Sequence, residues 1–258
     1  MHSQKNINLE FIVLKNVAKA IAQHCTRYKS MNHRIELDRL LDLDLDGIKG
    51  ILVDIDDTLY SYQDSHQKAL SLCVIKFHQE FPSLKKTIDS ETFQDLYRVA
   101  RDAVTSRLQF NGSCRSRLLA FQEIFENLND ISLHDAYKNA INFEEYYWAS
   151  LIANMLRNEE MYHFIEECQA NQLKVCAVSD MQASFQIRKL LKLGYKNLSL
   201  VTSEEVGIEK PDALIFNHAL SKIDLKPHQV IMIGDNYAKD IEGARNVGIK
   251  AFQVSLND

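Results

Sequence analysis

The sequence predicts an α/β fold: a parallel sheet whose first strand is separated from the others by an inserted helical subdomain. Three observations predict it. The short apolar run Gly50–Val53 stands alone upstream and reads as a buried strand. Residues 60–170 contain only Gly112 and Pro82 as strong helix breakers, so that stretch is expected to be helical. Residues 171–258 carry Gly194, Gly207, Gly234, Gly243 and Gly248 with Pro211 and Pro227, a spacing that suits short alternating elements.

Taken in order, residues 1–46 are expected to form a separate N-terminal helical extension. Leu9, Ile12, Val13, Val17 and Ile21 make one stripe at helical spacing, which reads as a helix docking on the sheet edge or on a second chain, leaving a homodimer open. Residues 47–62 and 171–258 form the α/β core. Its later strands are expected at 174–178, 198–201, 230–233 and 251–254, and its helices at 185–193, 213–221 and 241–247. Gly194 and Gly248 close two of those helices. Residues 63–170 are too many for a loop and form the inserted subdomain.

Composition narrows the function classes. The 258 residues are 46% hydrophobic and 25% charged, with a net charge of -5. Nonspecific nucleic-acid binding wants a basic surface, so it is not expected. No run of about 18 apolar residues is present, so no membrane span is expected. The polar start, Met1 to Asn6, gives no expectation of a secretory leader. Five cysteines without C-x-x-C spacing suit reduced thiols and a cytoplasmic protein.

The chemistry-bearing residues sit where strands end. Ile51-Leu52-Val53 delivers Asp54, with Asp56 two positions on and Thr58 two beyond that. Ligands of open parallel sheets bind at the carboxyl ends of strands. A carboxylate there can attack phosphorus, and a second carboxyl can protonate a leaving oxygen and then deprotonate water. Clustered carboxylates repel one another in a partly dry site, so a divalent cation is expected. By contrast Asp42, Asp44 and Asp46 follow no apolar strand, and Gly47 stands where the hydroxyl would be.

Ser179 ends the second strand and can hydrogen-bond a phosphate oxygen. Lys210 precedes a helix and can offset negative charge. Asp235 ends the 230–233 strand and can hold a metal. Asp240 can reach the metal through water or orient Lys210. In the insertion, the break 111–117 carries Arg115 and Arg117, candidates for an anionic group on a substrate. Phe143, Tyr146, Tyr147 and Trp148 are candidates to line a pocket, but their helical spacing places them rather in the core of the insertion.

Together the run Asp54 to Thr58, Ser179, Lys210, and Gly234-Asp235 with Asp240 resemble the four motifs of the haloacid dehalogenase-like hydrolase superfamily over residues 50–258. The resemblance implies a Rossmann-like core with a helical cap between the first two motifs. It implies Asp54 as nucleophile, Asp56 as general acid/base, and magnesium held by Asp54, the backbone carbonyl of Asp56 and Asp235. Ser179 and Lys210 would hold the phosphoryl oxygens and Thr58 would order the phosphate-binding first loop. Many members carry glycine where Asp57 stands. The presence of Asp56 favours phosphoryl transfer over dehalogenation. The expected activity is hydrolysis of a small phosphorylated metabolite, with a phosphomutase or a non-catalytic binding module as the alternatives.

Overall fold

The computed structural model describes residues 34–109, 112–129 and 131–256. The apolar stripe over 9–21 and Cys25 lie outside them. Glu36–Asp258 form one compact unit. It opens with a 3-10 turn, Leu37–Asp42, which buries Leu40.

Five strands form one parallel sheet. They are β1 (Gly50–Val53), β2 (Lys174–Ser179), β3 (Ser199–Thr202), β4 (Val230–Gly234) and β5 (Lys250–Gln253), in the order β3-β2-β1-β4-β5. β1 and β4 are buried along their whole length because helices cover both faces, and their unbroken apolar sequences follow from that. In register, Val53 faces Ala177 on one side and Ile233 on the other. Asp54, Ser179 and Asp235 therefore leave the sheet at one edge, within one residue of the same level.

From β1 the chain adds β2 and β3 outward, then crosses to lay β4 and β5 on the other side. The crevice between β1 and β4 is thus a topological switch point, where ligands of open α/β sheets bind. Below it Leu52, Val178, Val201, Ile215, Phe216 and Met232 are part of one apolar cluster.

Among the described residues five α-helices lie between β1 and β2: α1 (Tyr62–Glu80), α2 (Ser90–Arg107), α3 (Arg117–Glu126), α4 (Leu133–Ala153) and α5 (Glu159–Ala170). Pro82 starts the 3-10 turn after α1, and Gly112 starts another before α3. The other two breaks hold no glycine or proline, and there Ser132 accepts from Asp135 N and Asn158 from Met161 N. Phe77, Phe93, Phe121, Phe125 and Phe143 pack with ring centroids 4.8–6.4 Å apart where they meet. Tyr147 and Trp148 are buried as well, and Tyr146 partly so.

After β2 come α6 (Ala183–Leu193), α7 (Ser203–Val206) and α8 (Ala213–Ile223). A π-helical turn, Tyr237–Glu242, then leads into α9 (Gly243–Asn246). The sequence placed that helix at 241–247; the wide turn begins earlier because the Asn236 side chain caps Lys239 N while Asp240 takes the Asn236 amide. Cys73, Cys114, Cys168 and Cys176 are free thiols. Among the described residues no helix is long and apolar enough to cross a membrane.

Candidate active site

The carboxyl edge of the sheet opens into a cavity of about 250 Å³. Asp54, Asp56, Ser179, Lys210, Asp235 and Asp240 all line it. Asp54 continues β1, its amide bonding to Ile233 O at 2.9 Å, and its side chain is buried. Lys210 is buried too. Its Nζ donates to Asp54 Oδ1 at 2.5 Å, to Asp240 Oδ1 at 2.7 Å and to the carbonyl of Val178 at 2.9 Å. One ammonium thus ties the ends of β1 and β2 to the turn after β4.

Asp54, Asp235 and Asp240 each offer an oxygen, all within 4.8 Å of one another. Lys210 contacts two of these acids, Asp54 and Asp240, so three carboxyl groups gather around one ammonium. Burial pushes the Asp54 carboxyl well above the ordinary carboxylate range against the pull of Lys210. Burial, then the charges of Asp240 and Asp57, lift Asp235 to about 6. A donor set of clustered, desolvated carboxylate oxygens fits a hard divalent cation.

Asp56 is held differently. Its Oδ1 accepts from Lys189 Nζ at 2.6 Å and from Tyr60 OH at 2.5 Å, and its Oδ2 accepts from Gln186 Nε2 at 3.2 Å. Burial alone would raise this carboxyl; the Lys189 ammonium and the three hydrogen bonds hold it below the ordinary range. Gln186 also donates to Ser179 Oγ at 2.6 Å and so joins the acid to the serine. Asp57 has a φ of 59°, a left-handed conformation that glycine adopts most easily and aspartate tolerates. Its Oδ1 accepts from Tyr62 N at 2.8 Å, bracing the start of α1.

Thr58 is fully buried and does not line the cavity, and its hydroxyl finds no partner. Arg115 lines the rim, but Glu209 takes its guanidinium at both ends, at 3.0 and 3.1 Å. Arg117 lines the cavity and is buried.

Sequence reasoning missed Lys189, Gln186 and Glu209. Lysine in a helix ordinarily faces water. The signal was the stripe of α6: Gln186 and Lys189 share the buried face with Leu190 and Leu193, so two polar residues stand at core positions. Glu209 gave no local signal, since its partner is ninety-four residues away.

A family model described as haloacid dehalogenase-like hydrolase matches residues 48–248. The chain is similar to a ribulose-1,5-bisphosphate 5-phosphatase of Halopiger xanaduensis, 27% identical over 78% of this chain and 82% of that one. It is also similar to a glyceraldehyde 3-phosphate phosphatase of Methanocaldococcus jannaschii, 26% identical over 80% and 85%. The structure of a 2-haloacid dehalogenase from Pseudomonas syringae superposes with a TM-score of 0.62 at 20% identity, covering 80% of this chain and 86% of that one; this likeness is one of fold. Carboxylates, lysine and serine gathered at the switch point of such a sheet agree with the family match: this chain belongs to the haloacid dehalogenase-like hydrolases.

Proposed function

We propose that this protein is a magnesium-dependent phosphatase acting on small sugar phosphates or related metabolites. The observation that carries the reading is the convergence of Asp54, Asp56, Ser179, Lys210 and Asp235 on one cavity. The names of the two relatives matched over 82% and 85% of their length, both phosphatases of phosphorylated sugars, support it.

Asp54 is the nucleophile. Its carboxylate oxygen forms a bond to phosphorus as the ester P–O bond breaks, giving an aspartyl-phosphate. Asp56 donates a proton to the leaving oxygen, then removes one from the water that attacks phosphorus and frees Asp54. The Lys189 ion pair favours the base form of Asp56. The negative charge of an arriving phosphoryl group works the other way, towards the acid form needed first. Ser179 and Lys210 bind the phosphoryl oxygens, and Asp240 keeps Lys210 in place. Magnesium would be held by the carboxylates of Asp54 and Asp235 and the backbone carbonyl of Asp56, offsetting the charge of the phosphoryl group. Thr58 packs the first loop from behind. The helices of residues 63–170 act as a cap that keeps water away.

Release of inorganic phosphate across a panel of small phosphomonoesters, with magnesium and with it chelated, tests the reading. The wild type should release phosphate only with magnesium, and Asp54→Asn should lose at least about a thousandfold. No release from any compound would sink it, as would isomerisation of one phosphate ester into another without free phosphate.

A further inference from the structure

A second cavity, of about 510 Å³, lies among the insertion helices and shares Tyr62, Arg115 and Arg117 with the cavity over Asp54. Its charges are unbalanced. Arg117 donates from Nη1 to the carbonyl of Arg115 at 2.8 Å and from Nη2 to Tyr62 OH; its Nε is buried with no partner. Arg101 donates to the carbonyls of Cys114 and Ser116, at 3.1 and 3.2 Å. None of these contacts is a carboxylate. Arg115 differs in that Glu209 already matches its charge. Asp95, on the same wall, is taken by Arg98 at 3.0 Å, and Asp102 is exposed.

Two guanidiniums on one cavity, Arg117 buried and Arg101 half-buried, with no carboxylate partner among the described residues, are costly to hold. The groups around them register that field. Burial and the charge of Arg117 bring Arg101 down to about 10. Burial and both arginines bring His66, on the same wall, down to about 4. The rings of Tyr147 and Trp148, 5.7 and 5.5 Å from the Arg117 guanidinium, soften its burial without neutralising it.

We propose that Arg101 and Arg117 form a subsite for a second anionic group of the substrate, so that the preferred substrates are phosphomonoesters carrying a further phosphate or carboxylate. The proposal rests on the phosphatase reading for its chemistry. The arginine pair itself stands apart from that reading.

The test compares a pentose bisphosphate with the matching pentose 5-phosphate. Wild-type kcat/KM should favour the bisphosphate by at least about tenfold, through KM. In Arg101→Gln that ratio should collapse towards one, and Arg101→Lys should restore part of it. Arg101 also braces the turn at 114–116, so His66→Glu serves as a second variant. It sets a carboxylate against the guanidiniums and should give the same collapse. A wild-type ratio near one, or a ratio that survives Arg101→Gln and His66→Glu, overturns the subsite.

Calorimetric titration with inorganic phosphate, in magnesium, separates the two readings. The wild type should take up two phosphates, Lys210→Met should keep the arginine site, and Arg101→Gln should lose it. If no ester is hydrolysed but this pattern holds, the phosphatase reading fails and the anion site stands. If Arg101→Gln binds phosphate as the wild type does, the site falls.

Discussion

Gly234 lacks a side chain because Asp240 occupies the space where one would stand. A Cβ there would lie 2.5 Å from Asp240 Cγ and 2.7 Å from its Cβ. Alanine at 234 must push Asp240 off Lys210, so Gly234→Ala should lower kcat/KM at least about tenfold; activity within twofold of wild type would show that the brace does not matter. Lys189 is fully buried against Asp56. Removing one partner of a buried pair leaves the other unmatched, so Lys189→Met should cost about 3 kcal/mol in urea unfolding. With Asp56 as the proposed general acid, it should also lower kcat about tenfold with KM within threefold, since Lys189 would then position that acid rather than bind substrate. A change confined to KM would reject that role. The two residues differ in how they could be read. Gly234 stood in a run with Asp235 and Asp240 and announced a site. Lys189 sat among ordinary helical residues, and its meaning lies in a partner across the fold.

At the scale of elements, strands were legible because β1, β2 and β4 are short apolar runs that end at a carboxylate or a hydroxyl. The helical nature of the insertion followed from its scarcity of glycine and proline, but two of its internal breaks did not. Those depend on Ser132 and Asn158, whose side chains cap helices without any proline or glycine nearby. The cap on α5 does more than start a helix, because the Asn158 amide also bonds to Leu59 O at 2.9 Å and fastens the helix to the first loop. Asn158→Ala should lower unfolding stability by about 1 kcal/mol, measured by denaturant titration. A loss under a few tenths would mean that water replaces the cap at no cost.

Over the whole molecule, the sheet was predictable in composition and direction, and its strand order explains why residues spread from 54 to 240 meet. What the sequence did not display is the charge arrangement between the insertion and the core. Arg115 pairs with Glu209, Glu209 also accepts from Lys239, and Lys239 reaches Asp180, the residue after Ser179. Each contact spans thirty or more positions, so no local pattern reports it.

That rim bears on how the enzyme empties itself. Glu209 keeps two cations, Arg115 and Lys239, occupied at the mouth of the cavity. Without it Arg115 would be free to turn towards a departing dianion, while Lys239 keeps its 2.6 Å contact to Asp180. In Glu209→Gln, inorganic phosphate should inhibit at least about threefold more tightly while turnover slows, as product leaves late; an unchanged inhibition constant would remove this role. On the expected outcome a single acid beside Lys210 would serve as a release valve, keeping the mouth of the site from gripping what the chemistry has already finished with.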